Sequence, residues 1–380
     1  MKVYADHAAT TPVDKQVFDS MKPYLDEKFY NASSLYIDAK EVSNGIEQAR
    51  NNVASLINCQ DDEIIFTSGG TEADNLAIKG AAWALKEKGR HLITTEIEHH
   101  AVLSSFEWLE TQGFEVTYLP VDSKFKISLD DFRKAIRKDT IMASVMYANN
   151  EVGTIQQVKE MSYFAKREGI VFHTDAVQAI GTEKIDVKEL NADLITISSH
   201  KIYGPKGAGV LYVRKGTPLT PLLHGGQQEN HIRGGTEAVA NIIGFGKAVE
   251  LLLDEQENRK KHLQFLRSIL IDQLGQIEDW ILNGDTNNSV PGILNISIKG
   301  VDSQSILYML NQKGIMISMG SACNSKTVEP SHVINAGKVP EEYMKGTIRI
   351  SLGKENTVEE IKYLSDNLYK IVNNLRRINF

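Results

Sequence analysis

The sequence predicts an α/β layered fold with a largely parallel sheet, followed by a smaller α+β unit. Three observations carry that prediction. Between about Ile64 and Val213, short apolar runs alternate with amphipathic stretches of helical length. Beyond that block, a long helical pattern leads into a second set of strands and helices. At 380 residues, the chain is long enough for a large unit with a smaller partner.

The predicted strands of the first block are 63–67, 91–95, 115–119, 141–147, 170–174, 194–198 and 209–213, with helices over 72–88, 99–112, 129–137 and 158–168. Short strands separated by helices of this length make crossover connections, and so a parallel sheet. An earlier helix covers 39–57, where Val42, Ile46, Ala49, Val53 and Leu56 form one apolar stripe. After a glycine-rich stretch at 224–235, a helical pattern runs from 242 to about 274. The second unit then reads as strand 292–298, helix 303–313, strands 315–319 and 347–352, and a closing helix 358–375. The expected division is a large unit over 14–250 and a small one made of 1–13 with 251–380. No internal repeat or low-complexity tract interrupts this order.

Composition narrows the function classes. A formal charge of −7 argues against a general nucleic-acid binder, because neutralising phosphates takes a basic surface. Cys59 and Cys323 are too few and too far apart for a disulfide framework or a zinc site, and suit a reducing compartment. The first residues lack the apolar core of a signal peptide, and no apolar run is long enough to span a bilayer. A soluble, cytoplasmic protein is expected.

Ligands of α/β sheets sit at the carboxyl ends of strands, so the residues there are the candidates for chemistry. Strand 63–67 runs into Ser68, Gly69, Gly70 and Thr71 and then directly into a helix. Glycines let backbone approach an anion, and a helix N-terminus presents free N–H groups; Thr71 either adds a hydroxyl or simply caps the helix. Asp175 follows strand 170–174, where a carboxylate can hold a pyridinium nitrogen protonated or cap the next helix. Lys201 lies just beyond strand 194–198, placed either to bond a carbonyl cofactor or to sit on the surface. His99, where strand 91–95 gives way to a helix, can stack on a planar ring and move protons, or act as a cap. Arg349 is a charge on an apolar strand, suited to a substrate carboxylate or to a structural ion pair. Cys323, among small residues and a glycine, reads as a reactive thiol on a mobile loop, whereas Cys59 follows Leu56 and Ile57 and reads as packing.

Taken together and in order, these segments resemble the cysteine desulfurases of the class V aminotransferase-fold family, in its long-loop group. The matching stretches lie at 4–12, 67–80, 98–102, 149–154, 173–178, 199–209, 233–236, 320–323, 329–332 and 348–353, and so cover the whole chain. Two stretches depart from the family pattern. Ala32 stands where the family often has proline, and the segment at 224–229 has one glycine fewer than some members.

The resemblance implies an aspartate-aminotransferase-like fold that binds pyridoxal 5'-phosphate, with Lys201 as the Schiff-base lysine. By the same resemblance, Asp175 faces the pyridine nitrogen, Gln178 bonds the ring hydroxyl and His99 stacks on the ring. Gly70, Thr71, Ser198 and His200 hold the phosphate, with Thr236 supplied by the neighbouring subunit. Asn150 and Arg349 hold the substrate carboxylate, and Cys323 is the nucleophile. The implied reaction converts L-cysteine to L-alanine and leaves a persulfide on Cys323 for an acceptor protein, in iron–sulfur cluster assembly or transfer-RNA thiolation. A homodimer with no membrane and no direct nucleic-acid partner completes the expectation. Lys326 is the basic residue nearest Cys323, which leaves His99 as the candidate for activating it. A selenocysteine lyase on the same fold, and a scaffold that has lost activity, are the rival readings.

Overall fold

Seven strands form one sheet in the order β2-β8-β7-β6-β5-β3-β4, where β2 is Ile64–Thr67, β3 His91–Thr95, β4 Glu115–Leu119, β5 Thr140–Ser144, β6 Val171–Asp175, β7 Leu194–Ser198 and β8 Gly209–Val213. The structure is a computed structural model that describes residues 1–319 and 331–378. Pairs β4–β3, β3–β5, β5–β6 and β6–β7 are parallel, and β8 runs antiparallel to β7 and β2. The sheet is therefore mostly parallel, as the alternating pattern predicts.

Its strands divide their side chains between two cores because successive residues point to opposite faces. Ile65, Leu92, Met142, Val171, Leu194 and Leu211 join a core under helices Gly70–Leu85 and His100–Thr111. Ile64, Ile93, Ala143, Phe172, Ile195 and Val210 join a core on the other face, which includes residues of helices Ile37–Ile57, Val158–Arg167 and Val239–Leu274. Strands covered on both faces read as near-continuous apolar runs, and of the seven only the edge strand β4 is mostly half-buried.

The sheet changes direction at β3. The chain moves from β3 to β4 on one side and then returns to β5 on the other. Such a switch point opens a crevice at the carboxyl ends of the two central strands.

A third core surrounds a three-stranded antiparallel sheet, β9 (Trp280–Asn283), β10 (Ile293–Ile298) and β12 (Thr347–Ser351). Helices Ser303–Gln312 and Val358–Ile378 contribute to it, as do Val3 and Ala5 near the N-terminus. There β1 (Val3–Tyr4) pairs in parallel with β11 (Ile315–Met316). Helix Val239–Leu274 joins the two parts. Phe245, Ala248 and Leu252 lie in the large core, and Leu263, Leu266 and Leu270 in this one.

Some sequence expectations change. The strand expected at 315–319 is only two residues long, and the strand expected at 141–147 ends at Ser144. Beyond Ser144 the backbone serves the crevice instead, with Met146 N donating to Glu98 Oε1. Among the described residues, no helix is long and apolar enough to cross a membrane.

Candidate active site

Five strand ends and one strand of the smaller sheet supply the candidate residues. After β2, Thr67 leads to Gly69, whose φ of +150° is a conformation L side chains rarely adopt. The helix starts at Gly70, where an added Cβ would stand 3.2 Å from Val177 Cγ2 and 3.6 Å from Ser198 Cβ. Glycine here brings the helix N-terminus close to the end of β7 without pressing on the Val177 side chain. Thr71 lies in the first turn, where backbone N–H groups have no helical partner.

Lys201 follows β7 through a short 3₁₀ turn, Ser199–Lys201. Its Nζ donates to the carbonyls of Ala8 at 2.5 Å and Ala9 at 3.0 Å. Gln178 Nε2 donates to the same Ala8 carbonyl at 2.9 Å. Thr10 Oγ1 and His200 Nδ1 are 3.1 Å apart, and Thr11 N donates to His200 O. The N-terminal segment is thereby laced across the lysine and its neighbours.

Asp175 ends β6 as a buried carboxylate, and its Oδ1 accepts from Val177 N at 2.9 Å. Burial pushes its pKa up to about 6, opposed by that hydrogen bond and by the charge on Lys201. His99 caps helix His100–Thr111, with Nδ1 accepting from Ala101 N at 3.1 Å. A backbone N–H can only donate, so the lone pair is on Nδ1 and the ring proton on Nε2. Burial, then the Lys201 charge and the two nearby histidines, push the pKa of His99 down to about 4, leaving a neutral ring near pH 7. The helix cap is present at His99, whereas no helix directly follows Asp175 and its bond to Val177 N closes a turn instead. They leave one carboxylate oxygen and one imidazole N–H for other work.

Arg349 is nearly fully buried. Its Nη1 donates to Asn150 O at 2.9 Å, and its Nη2 donates to Asp6 Oδ1 at 2.8 Å in an ion pair. Its Nε is buried with no partner among the described residues. Thr236 is exposed, on a segment tied back by the Arg233–Glu72 ion pair at 2.8 Å. Cys323 lies outside the described residues.

Several buried ionisable groups escaped the sequence reading. Glu98 accepts from Thr95 Oγ1 and Met146 N, both at 2.8 Å, and burial pushes its pKa up to about 8. Asp74 is fully buried and lies 3.6 Å from His173 Nε2, and burial followed by the charge of Asp175 raises its pKa well above the carboxylate range. His173 is held between Ser144 Oγ and Thr196 Oγ1, and burial pushes it down to about 3. Glu151 accepts from Ser331 Oγ, while His332 is hydrogen-bonded to Glu98 O and its ring lies 4.8 Å from that of His100. Asp74 sits beside Glu72 and Asn75, and Glu151 beside Asn149 and Asn150, so the local sequence gives no sign that either is buried.

Pyridoxal phosphate asks for a primary amine, an anionic partner for its ring nitrogen, and several donors to its phosphate. Lys201 and Asp175 meet the first two needs, at adjacent strand ends. The helix N-terminus at Gly70 and Thr71, with Ser198 packed against it and neutral His200 beside it, meets the third. The residues present fit the group.

Residues 3–364 match the family model described as aminotransferase class-V. The chain is 50% identical to the cysteine desulfurase IscS of Dictyoglomus turgidum over 378 residues, covering 99% of this chain and 96% of the relative. It is also 50% identical to the cysteine desulfurase IscS of Methanosarcina thermophila over 376 residues, covering 99% and 93%. Among solved structures, it is similar to a NifS-like protein with a TM-score of 0.93 at 36% identity, covering 98% of this chain and all of the other. It is likewise similar to SspA in complex with cysteine, with a TM-score of 0.84 at 36% identity, covering 94% and 100%. These likenesses bear out the aspartate-aminotransferase-like fold, and the chain belongs to the pyridoxal-phosphate-dependent class-V aminotransferase family.

Proposed function

We propose that this protein is a cysteine desulfurase that converts L-cysteine to L-alanine and carries the sulfur as a persulfide on Cys323 to an acceptor protein. What supports this reading is that the chain is half identical to enzymes named cysteine desulfurases, and that the charge of Lys201 lies close enough to Asp175 and His99 to act on both. Bound pyridoxal phosphate supplies an electron sink beside the substrate's α-carbon.

The chain's own residues then have distinct tasks. Lys201 holds the cofactor, and Asp175, kept anionic by its Val177 hydrogen bond and the nearby cation, supports the ring nitrogen's proton. Gln178 bonds the ring hydroxyl. Gly70, Thr71, Ser198 and His200 hold the phosphate, with Thr236 of a second subunit completing the cradle in a homodimer. Arg349 and Asn150 hold the substrate's carboxylate, the unpartnered Nε of Arg349 being free to donate. His99 stacks on the ring and offers its proton at Nε2. Because Nδ1 is engaged by Ala101 N, His99 acts more readily as a donor there than as the base that activates Cys323.

The sulfur leaves the substrate for the Cys323 thiolate, and the acceptor belongs to iron–sulfur cluster assembly or transfer-RNA thiolation. Replacement of Cys323 by Ala tests the reading. The variant should keep its cofactor absorbance band and lose protein-bound persulfide, measured by mass spectrometry after reaction with L-cysteine. Unchanged sulfur release would overturn the role of Cys323.

A further inference from the structure

The chain on either side of residues 320–330 is fastened to the crevice at three places. Before that segment, Ser318 N donates to Arg349 O at 3.0 Å and Arg349 N donates to Ser318 O at 2.7 Å. After it, Ser331 and His332 make their ties with side chains. Ser331 Oγ donates to Glu151 Oε1 at 2.8 Å and accepts from Val333 N at 3.1 Å, so one hydroxyl both caps helix His332–Ala336 and reaches the large unit. His332 Nε2 lies 3.0 Å from Glu98 O. A carbonyl only accepts, so Nε2 carries the ring proton and donates it.

Both side-chain ties end one residue away from a candidate site residue: Glu98 precedes His99, and Glu151 follows Asn150. The partners are themselves held. The Glu98 carboxyl accepts from Thr95 and Met146, and Glu151 N donates to Asn149 Oδ1 while its carbonyl accepts from Asn295 Nδ2. The helix carrying His332 is docked as firmly, with Val333 and Ile334 in the large core and Gly337 packed where a Cβ would overlap the Phe125 ring. Capping that helix needs only the bond from Val333 N. It gives no account of two further bonds that reach back 180 and 234 residues to the turns holding Asn150 and His99.

We propose that His332 and Ser331 are positioning residues, His332 setting the turn that carries His99 and Ser331 the turn that carries Asn150. Through Glu98 O, the imidazole fixes the peptide that leads into His99, and so the plane of that ring beside the cofactor. Through Glu151, the hydroxyl fixes the backbone whose Asn150 carbonyl also binds Arg349, and so the cradle for the substrate carboxylate. The kinetic consequences rest on the proposed function, whereas the spectroscopic one rests only on the bound cofactor.

The test uses the full-length holoenzyme, with rates normalised to bound cofactor so that misfolded protein drops out. His332→Phe keeps a ring against His100 and removes the donor. It should lower kcat for persulfide formation about tenfold, keep KM for L-cysteine within about twofold, and diminish the visible circular dichroism of the cofactor. His332→Gln, whose amide N–H donates at similar reach, should restore kcat and dichroism. Ser331→Gly, a tolerated cap without a hydroxyl, should instead raise KM about threefold or more with the dichroism unchanged, and Ser331→Thr should restore KM. The proposal fails if His332→Phe matches the unmodified enzyme, or if His332→Gln is equally impaired, which would make packing the role. It fails for Ser331 if Ser331→Gly leaves KM unchanged, a comparison that stands even if a His332 variant does not fold. An unmodified enzyme that forms no persulfide from L-cysteine overturns the proposed function instead, and the dichroism still decides the role of His332.

Discussion

The floor and the rim of the crevice are built in different ways. The floor, formed by Asp175, Asp74, His173 and Glu98, comes from the large sheet and the segments packed on its strand ends, where neighbouring strands hold each group in place. The rim joins Arg349, from the small antiparallel sheet, to Asp6 near the N-terminus and to the backbone of Asn150 after β5. The floor is pre-organised by ladder hydrogen bonds, and its electrostatics are set by burial. The rim is an assembled object, whose geometry depends on distant parts of the chain meeting correctly. Changes in the floor should therefore strike chemistry and titration, whereas changes in the rim should strike substrate binding and the joining of the two parts.

The largest effect is expected at Asp175. Asp175→Asn keeps the shape and can still accept from Val177 N, but it removes the charge proposed to support the ring nitrogen. Alanine production should fall by about 10²- to 10³-fold, the scale on which one pre-organised electrostatic contact contributes to catalysis. The cofactor absorbance band should remain and shift. A variant that loses less than tenfold in alanine release would place the anionic partner elsewhere.

Next comes Arg349 on the rim. Arg349→Lys keeps a charge but loses the fork that reaches Asp6, Asn150 and a carboxylate at once. KM for L-cysteine should rise roughly tenfold or more, with a smaller change in kcat. Arg349→Ala should in addition destabilise the fold by about 3 kcal/mol, because it leaves a gap where a buried side chain stood and takes a donor from Asn150 O and from Asp6. Steady-state kinetics and urea unfolding separate the two effects. A fall in kcat with KM unchanged would argue that the rim does not bind substrate.

A third prediction returns to the floor. The Glu98 carboxyl moves from an ordinary value of 4.5 to about 8 on burial, so the folded protein binds a proton that the unfolded chain gives up. Stability from this group is fully present below about pH 4.5 and is lost as pH rises toward 8. Glu98→Gln should flatten that part of the stability profile, followed as urea midpoints between pH 5 and pH 8 on the scale of about 1 kcal/mol per pH unit at most. An unaltered slope in the variant would assign the titration to another floor carboxylate, Asp74 first.

The same contrast explains what could be read from the sequence. Strands β3, β4, β7 and β8 have the bounds their patterns predict, because apolar runs with polar ends mark strands locally. Lys201, Asp175 and His99 stand at or just beyond such ends, and their positions are therefore legible in the sequence. The pairing of β1 with β11 joins residues at opposite ends of the chain, and no local pattern marks it. Asp74 follows Glu72 in the first turns of a helix, and its burial depends on His173 arriving from a strand. A lone arginine on an apolar strand allows both carboxylate binding and an ion pair. The structure supplies the ion pair and leaves Nε available, so the two roles are compatible.

The smallest expected effect is at Asp6, the exposed side of the rim pair. Its side chain is 20% exposed, against 2% for Arg349, so water shares in its solvation and the pair is only partly desolvated. Asp6→Asn keeps an oxygen able to accept from Arg349 Nη2 and removes the charge. The cost in stability should be about 1 kcal/mol, the upper end for ion pairs reached by solvent. Loss of the competing anion leaves Arg349 more electropositive toward a substrate carboxylate, so KM for L-cysteine should stay level or fall slightly. That direction is the opposite of the one expected for Arg349→Lys, which makes the pair of variants decisive. If Asp6→Asn raises KM as much as Arg349→Lys does, the carboxylate of Asp6 is what aims the guanidinium, and positioning outweighs charge at the rim.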